Sequence, residues 1–509
     1  MPNEFANEPL TDFTDSDQEK AYREAIADHR GQLDQHMKLV IGGEEVETAE
    51  EIRSINPCAP NEVIGTSAAA EPRHAEAALE AGWQAFGEWS RLDAHDRAAY
   101  VLRLAGVLRT YKHHFSSLMT LEAGKNWIEA DADTAEAIDF CEYYASQAID
   151  LAQPYQPTDT DTSFLIPIGA GVAIPPWNFP LAILTGLTIG PVAAGNTVVL
   201  KPASNTPLIA GAFMDAVQEA GFPPGVVNLV PGGGAVIGDT LVDHPSTRFV
   251  NFTGSKEVGL RISERAAKVH AGQRWLKRAY MEMGGKDAIV VDETADLDAA
   301  ATGVVTSAFG FQGQKCSACS RLIVVEEVQD ELLDRVVEKA AALEVGPAED
   351  NYAVNAVISK TQYDAIWSEI EKGKEQADLV IGGRRPWDAG YYIEPTIFAG
   401  VDPDSRLAQH EIFGPVLSVI SARDFDNALE IANGTEYALT GGIFSEDGDR
   451  IERARRDFHV GNLYVNRKIT GALVWRQPFG GFNMSGSNAK AGGPDYLRLF
   501  MEMKTVGEA

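Results

Sequence analysis

Cysteine is scarce in this chain: Cys58, Cys141, Cys316 and Cys319 are the only four in 509 residues. That excludes a disulfide scaffold and suits a reducing compartment, so a cytoplasmic location is expected. Basic charge is also short. Lysine and arginine number 43 against 74 acidic residues, a net charge of −31, and no run of cations stands out. That field disfavours nucleic acid and anionic membrane as partners. The N-terminus, Met1-Pro-Asn-Glu-Phe-Ala, lacks the basic and apolar segments of a targeting signal. An unbroken apolar run is missing too. Phe164 to Leu200 carries no charge, yet Pro167, Pro175, Pro176, Pro180 and Pro191 interrupt it. Lipid would not tolerate the unpaired backbone groups that such breaks leave, so this stretch reads as buried soluble core.

What is present is a globular composition, 45% apolar and 23% charged, in a length that accommodates two or three domains. A polar N-terminal arm is expected to be helical over 17–33, and Lys38-Leu-Val-Ile-Gly-Gly reads as a strand and turn. Leu79, Trp83, Phe86 and Trp89, then Val101, Leu102, Ala105 and Leu108, then Phe115 and Met119 recur at helical spacing and are expected in the core. From residue 197 strands alternate with helices. Strands are expected over 197–200, 226–230 and 248–252, followed respectively by Lys201, Gly232-Gly-Gly234 and Thr253-Gly254-Ser255. A second alternating region runs over 285–468, with strands near 289–291, 322–325 and 416–420. The fold class this predicts is α/β, with two doubly wound parallel-sheet domains and ligands in the crevice at the carboxyl ends of their strands.

The strict nucleotide motifs fail. After Gly232 and Gly234, Gly238 arrives one residue late for G-x-G-x-x-G, and Leu260-Arg261 stand where a P-loop needs Lys and Ser/Thr. Taken alone, these glycines are turn residues. Lys201 reads either as a solvated strand-end lysine or as a ligand of ribose hydroxyls or phosphate. Cys316-Ser-Ala-Cys319 leaves several readings open: a redox pair, half of a zinc site, one nucleophile with a bystander, or two buried structural thiols. No second CxxC and no paired histidines complete a zinc set, so no metal is expected. Lys315 and the glycine-rich turn before Cys316 would favour a thiolate.

Phe309-x-x-x-Gly313-Gln314-x-Cys316, Met281-Glu282-Met283-Gly284-Gly285-Lys286 and Pro176-Trp177-Asn178-Phe179-Pro180 together resemble the signatures of the aldehyde dehydrogenases. Lys201-Pro202-Ala203, Phe252-Thr253-Gly254-Ser255 and Glu411-Ile-Phe413-Gly-Pro415 extend the resemblance in the family's order. It implies Cys316 as nucleophile, Glu282 as the base that activates water, and Asn178 with the Cys316 N–H as oxyanion donors. It implies NAD as cofactor, held by Lys201, Glu411, Pro176, Trp177, Gly232, Phe252, Thr253, Gly254, Ser255, Gly284 and Phe413. Ser204 stands where NAD-selective members often carry Glu, so NADP is expected to be tolerated.

Val465-Asn-Arg-Lys-Ile-Thr-Gly471-Ala472-Leu-Val-Trp-Arg-Gln-Pro-Phe479-Gly-Gly481, with Lys125-Asn-Trp127 and Ala491-Gly-Gly-Pro-Asp-Tyr-Leu497, looks like the anchor-loop region of the 1-pyrroline-5-carboxylate dehydrogenases. By that resemblance Ser317, Gly471 and Ala472 would bind the carboxylate of L-glutamate γ-semialdehyde. Phe179 and Phe479 would line its aliphatic part, and Lys315 would lie near it. The rivals are another semialdehyde dehydrogenase, such as one acting on succinate semialdehyde, and a non-catalytic protein on this fold. The resemblance further implies a cofactor-binding domain over 1–152 and 173–284, to which 469–490 return, and a catalytic domain over 285–468. It implies a homo-oligomer built through a hairpin over 153–172 and the segment 491–509.

Arginine outnumbers lysine and acid is spread along the whole chain. We read −31 as suited to a high-salt solvent, because self-repulsion destabilises a compact state when screening is removed. The melting temperature is expected to rise between low and molar KCl; a flat or falling Tm would overturn this reading.

Overall fold

Strands buried on both faces of a parallel sheet read as continuous apolar runs, and two sheets of that kind form the centre of this chain. A computed structural model describes residues 5–33 and 35–509. Residues 1–4 and 34 of the expected N-terminal arm lie outside the described residues. The first sheet orders its strands Arg278–Glu282, Phe249–Thr253, Ala170–Ile174, Thr197–Leu200, Val227–Leu229, Leu39–Ile41 and Glu44–Val46. The first five are parallel and the last two close the edge antiparallel. The second sheet runs Asp378–Ile381, Thr396–Ala399, Val416–Ala422, Arg321–Val325, Ala288–Val291, Thr440–Phe444 and Asn462–Val465. All of its strands are parallel except the first. The α/β class read from the sequence is the class observed.

The helices over 72–151 place most of the expected periodic residues inside. Leu79, Trp89, Val101, Ala105, Leu108, Phe115 and Met119 are buried. Leu102 is not; it is 47% exposed. In the helix Ala94–Thr110 the inner face is set by Val101, Leu104, Ala105 and Leu108, and the next residue after Val101 turns about 100° away from it. Trp83 is only half-buried, stacks on Trp275 at 5.3 Å, and donates its indole N–H to the Ser246 carbonyl at 2.8 Å.

Two short links matter for the site. Gly124, in the left-handed region at φ 67°, ends the helix Lys112–Ala123. Two residues later the Asn126 side chain accepts the Glu129 N–H at 3.0 Å and starts the helix Trp127–Leu151. Lys125 is thereby pinned between two helices. Late in the chain, 469–490 touches both sheets' neighbourhoods. Phe482–Asn483 pairs with Tyr437–Ala438, while Met283 N–H donates to the Ser485 carbonyl at 2.8 Å. Met501–Gly507 pairs antiparallel with Asp161–Pro167, and Tyr155 and Ser163 exchange two 2.8 Å backbone bonds, which closes the hairpin there. No helix among the described residues is long and apolar enough to cross a membrane.

Asn196 joins three of these pieces from a fully buried position. Its carbonyl oxygen accepts the N–H groups of Ile168 and Gly169, at 2.7 and 3.0 Å. Its amide donates to the carbonyls of Pro191 and Phe500, at 3.0 and 2.9 Å. Asn196→Ala is expected to cost about 3 kcal/mol in denaturant unfolding, because buried partners lose their hydrogen bonds. Asn196→Asp, which keeps only the acceptor side, should also destabilise; a loss under about 1 kcal/mol for either would remove Asn196 from this role.

Candidate active site

The helix Leu297–Phe309 ends in a turn where Phe311 and Gln312 both adopt left-handed backbone, φ 48° and 55°. Such residues cost about 1–3 kcal/mol each and persist only when their surroundings over-determine them. The surroundings here are dense. A Cβ at Gly313 would collide with the Gly414 carbonyl, and Gln314 accepts the Ile358 N–H at 3.0 Å. The turn delivers Cys316 to the place where two cavities meet. Asn178 is tied to the same turn, since its amide donates to the Gln314 carbonyl at 3.0 Å.

One cavity, of about 660 Å³, is lined by Pro176, Trp177, Asn178, Lys201, Phe252, Thr253, Gly254, Ser255, Gly284, Glu411, Phe413 and Cys316. Parallel-strand ends supply most of these groups. Lys201 follows Thr197–Leu200, and Gly254 and Ser255 follow Phe249–Thr253. Ser255 caps the helix Lys256–Ala267, whose N-terminus favours an anion. Burial lowers the Lys201 ammonium to about 8, and its one hydrogen bond among the described residues goes to the adjacent Pro202 carbonyl at 3.1 Å. Glu411 accepts the Gly285 N–H at 2.9 Å, and a Cβ at Gly284 would fall on its carboxylate, so only glycine permits that approach. A sparingly bonded buried cation, a carboxylate and a helix N-terminus fit the donor set that a dinucleotide needs. Two expected contacts fall outside this lining. Ser204 is exposed beyond the strand end, and Gly232 is closed over by Ile237. Gln362, His410 and Tyr437 line the cleft without having been anticipated.

The second cavity, about 100 Å³, holds Cys316 and Glu282 with Phe179, Ser317, Gly471, Ala472 and Phe479, all anticipated from sequence. Glu136, Phe140, Asn251 and Tyr280 join them. Burial pushes the Glu136 carboxyl up to about 8, and Asp133 and Asp139 add to the shift. Its signal in the sequence was slight: an acid one helical turn before Phe140, with Asp133 and Asp139 three residues to either side. Lys315 lies outside both linings. Its ammonium pairs with Glu129 at 2.7 Å, so the cation expected to activate the thiol is spent elsewhere.

The electrostatics around Cys316 are anionic. Burial raises its thiol well above the usual range; Glu282, Asp287 and Glu411 push the same way, and the Ser317 N–H pulls back. Glu282 itself is pushed to about 8 by burial, against a 3.0 Å bond from the Gly481 N–H. Asp287 is raised to about 8 by burial and accepts the Thr440 N–H at 3.0 Å; the Thr440 hydroxyl then donates to the Ser317 carbonyl at 3.3 Å. Lys286 is lowered to about 7 by burial, and its ammonium has no acceptor among the described residues. Cys319 faces away from this chemistry. It sits in the apolar cluster with Ile289, Phe309 and Leu322, and its thiol donates to the Arg321 carbonyl at 3.4 Å.

Residues 45–506 match the aldehyde dehydrogenase family. The chain belongs to that family. A 1-pyrroline-5-carboxylate dehydrogenase of Geobacillus sp. (strain WCH70) is 54% identical, with 100% of both chains covered. The 1-pyrroline-5-carboxylate dehydrogenase 2 of Bacillus subtilis (strain 168) is 52% identical over the same share. Among solved structures, the 1-pyrroline-5-carboxylate dehydrogenase from Thermus with bound NAD superposes with a TM-score of 0.98 at 53% identity, again over 100% of both chains. Cys316 lines both cavities, and Glu282 lines the smaller one beside it.

At pH 9, where Glu282 is ionised, its charge opposes the Cys316 thiolate. Glu282→Gln is therefore expected to speed alkylation of Cys316 by iodoacetamide at that pH, read by mass spectrometry. A rate equal to or below that of the unchanged protein would contradict this electrostatic account.

Proposed function

We propose that the chain oxidises L-glutamate γ-semialdehyde, the open form of 1-pyrroline-5-carboxylate, to L-glutamate with NAD, the second step of proline degradation. One observation carries the reading: thiol and base share a small chamber with groups suited to an amino-acid head, Ser317, Gly471, Ala472 and Glu136. The Ser317 hydroxyl and the two backbone N–H groups would donate to the substrate carboxylate, and Glu136 would meet its ammonium. Phe179 and Phe479 would cover the methylenes.

Cys316, as thiolate, adds to the aldehyde carbon. The carbonyl oxygen becomes an oxyanion, stabilised by the Asn178 amide and the Cys316 N–H; losing one such donor costs about 10²–10³ in rate. Departure of hydride from that carbon leaves a thioester on Cys316. When bound, the cofactor would supply the hydride acceptor; Lys201 and Glu411 would hold its riboses, and Ser255 with the helix it caps would meet its pyrophosphate. Glu282 then takes a proton from water as that water attacks the thioester carbon, releasing L-glutamate and the thiolate. Only ionised Glu282 does this, so hydrolysis gains as pH rises through about 8.

NADP is proposed as a second acceptor, because no carboxylate stands at exposed Ser204, three residues past Lys201, to repel a 2′-phosphate. We further place the enzyme in the cytoplasm as a homo-oligomer joined through the ribbon of Asp161–Pro167 and Met501–Gly507. That ribbon leaves Met503 61% exposed, and Tyr155 beside it is 67% exposed.

Succinate semialdehyde lacks an ammonium for Glu136 to meet. We expect kcat/KM with NAD to favour L-glutamate γ-semialdehyde clearly. Glu136→Gln should shrink that preference about tenfold through KM, since a hydrogen bond to a charged group contributes ~1.5–3 kcal/mol. A wild-type preference for succinate semialdehyde would overturn the assignment.

A further inference from the structure

Lys125 has no exposed surface. Its ammonium meets three groups, each from a different part of the site. Asp133 Oδ2 lies at 2.7 Å, the Phe179 ring centre at 4.4 Å and the Phe311 ring centre at 4.6 Å. Phe179 follows Asn178 and forms a wall of the substrate chamber. Phe311 belongs to the left-handed turn that delivers Cys316. The other oxygen of Asp133 accepts the Ala182 N–H at 2.6 Å, at the start of the helix that leaves the Asn178–Phe179–Pro180 loop. An ammonium removed from water needs its donors and charge satisfied. Here one carboxylate and two ring faces do so.

We infer that Lys125 is a positioning residue that couples the oxyanion loop to the nucleophile turn. Without its charge, neither ring has a partner at the shared point. The Asn178 amide and the Cys316 thiol are then no longer held to one carbonyl, and the Phe179 wall loosens around the substrate chain. The inference rests on the proposed roles of Cys316 and Asn178. It concerns geometry alone, as Lys125 touches neither cavity.

The test compares Lys125→Met/Asp133→Asn, which removes both buried charges together, with Lys125→Arg, Phe311→Leu and Phe311→Tyr. For each, the first-turnover rate of NADH formation, the Kd for NAD and kcat/KM on L-glutamate γ-semialdehyde and succinate semialdehyde are measured. In the double variant the first-turnover rate should fall about 10²-fold, as expected for a reacting pair displaced by ~1 Å. Its Kd for NAD should stay within about twofold, and discrimination between the two substrates should narrow about tenfold. Lys125→Arg should recover at least part of the rate. Should the double variant fail to fold, Phe311→Leu decides, because it removes one ring and keeps the ion pair. Its rate should fall while Phe311→Tyr, which restores the ring face, stays near wild type. First turnover unchanged in the folded double variant or in Phe311→Leu overturns the inference, as does a parallel loss of NAD affinity. Cys316→Ala separates the two levels: NADH formation surviving that change would defeat the active-site reading itself, whereas a dead Cys316→Ala beside unaffected Lys125 variants would defeat only the coupling.

Discussion

A carboxylate taken out of water resists ionisation, and a thiol beside it resists more. This chain gathers Glu282, Asp287 and Glu411 around Cys316, and all three push its thiol the same way as burial does. Desolvation is therefore the constraint that the surrounding structure has to answer. Arg321 answers part of it from below, donating to the carbonyls of Lys286, Ile431 and Ala432 at 2.8, 3.0 and 2.9 Å. Lys286 supplies a second buried cation beside Asp287. A poorly ionised thiol is inert until something shifts the balance, and the positive nicotinamide ring of an oxidised cofactor carries the right sign.

Neither sheet could build this site alone. The first contributes Lys201, the Ser255 helix cap and Glu282 at strand ends; the second contributes Glu411 and, through Thr440, the support under Ser317. The segment 471–491 forms the remaining walls and hands Glu282 its Gly481 N–H. Rigid strand ends fix the chemistry, and loops between them shape what it acts on.

Much of this was legible because it is local. A strand end followed by an obligatory turn places its residues wherever the strand goes, so Lys201 and Thr253-Gly254-Ser255 could be located from their flanking patterns, whereas Glu282 and Glu411 were reached through family resemblance. Contacts made across elements could not. Lys315 precedes the thiol in sequence, yet its side chain leaves the turn toward Glu129, 186 residues away in the chain. Glu136 becomes a chamber wall only through the docking of Trp127–Leu151 on Ala182–Ala193. Leu102 carries the right hydrophobicity, but one helical step from Val101 is enough to put it in water. Ser204 sits three residues past Lys201, and there the chain has already turned outward. Buried pairs such as Lys125 and Asp133 are invisible to periodicity, since charge on a helix is ordinarily read as its wet face.

The pairing of Met501–Gly507 with Asp161–Pro167, and of Gly486 with Glu282, has a consequence in time. A ribosome supplies the chain from its N-terminus, so the first sheet and the Cys316 turn emerge well before their late partners. Until residue 491 has cleared the exit tunnel, Glu282 lacks its Gly481 hydrogen bond and the chamber lacks a wall. Long loops must then close to complete it, which is slow compared with local folding. Nascent chains thus carry a desolvatable thiol that cannot yet act on aldehydes, and competence arrives in one late step.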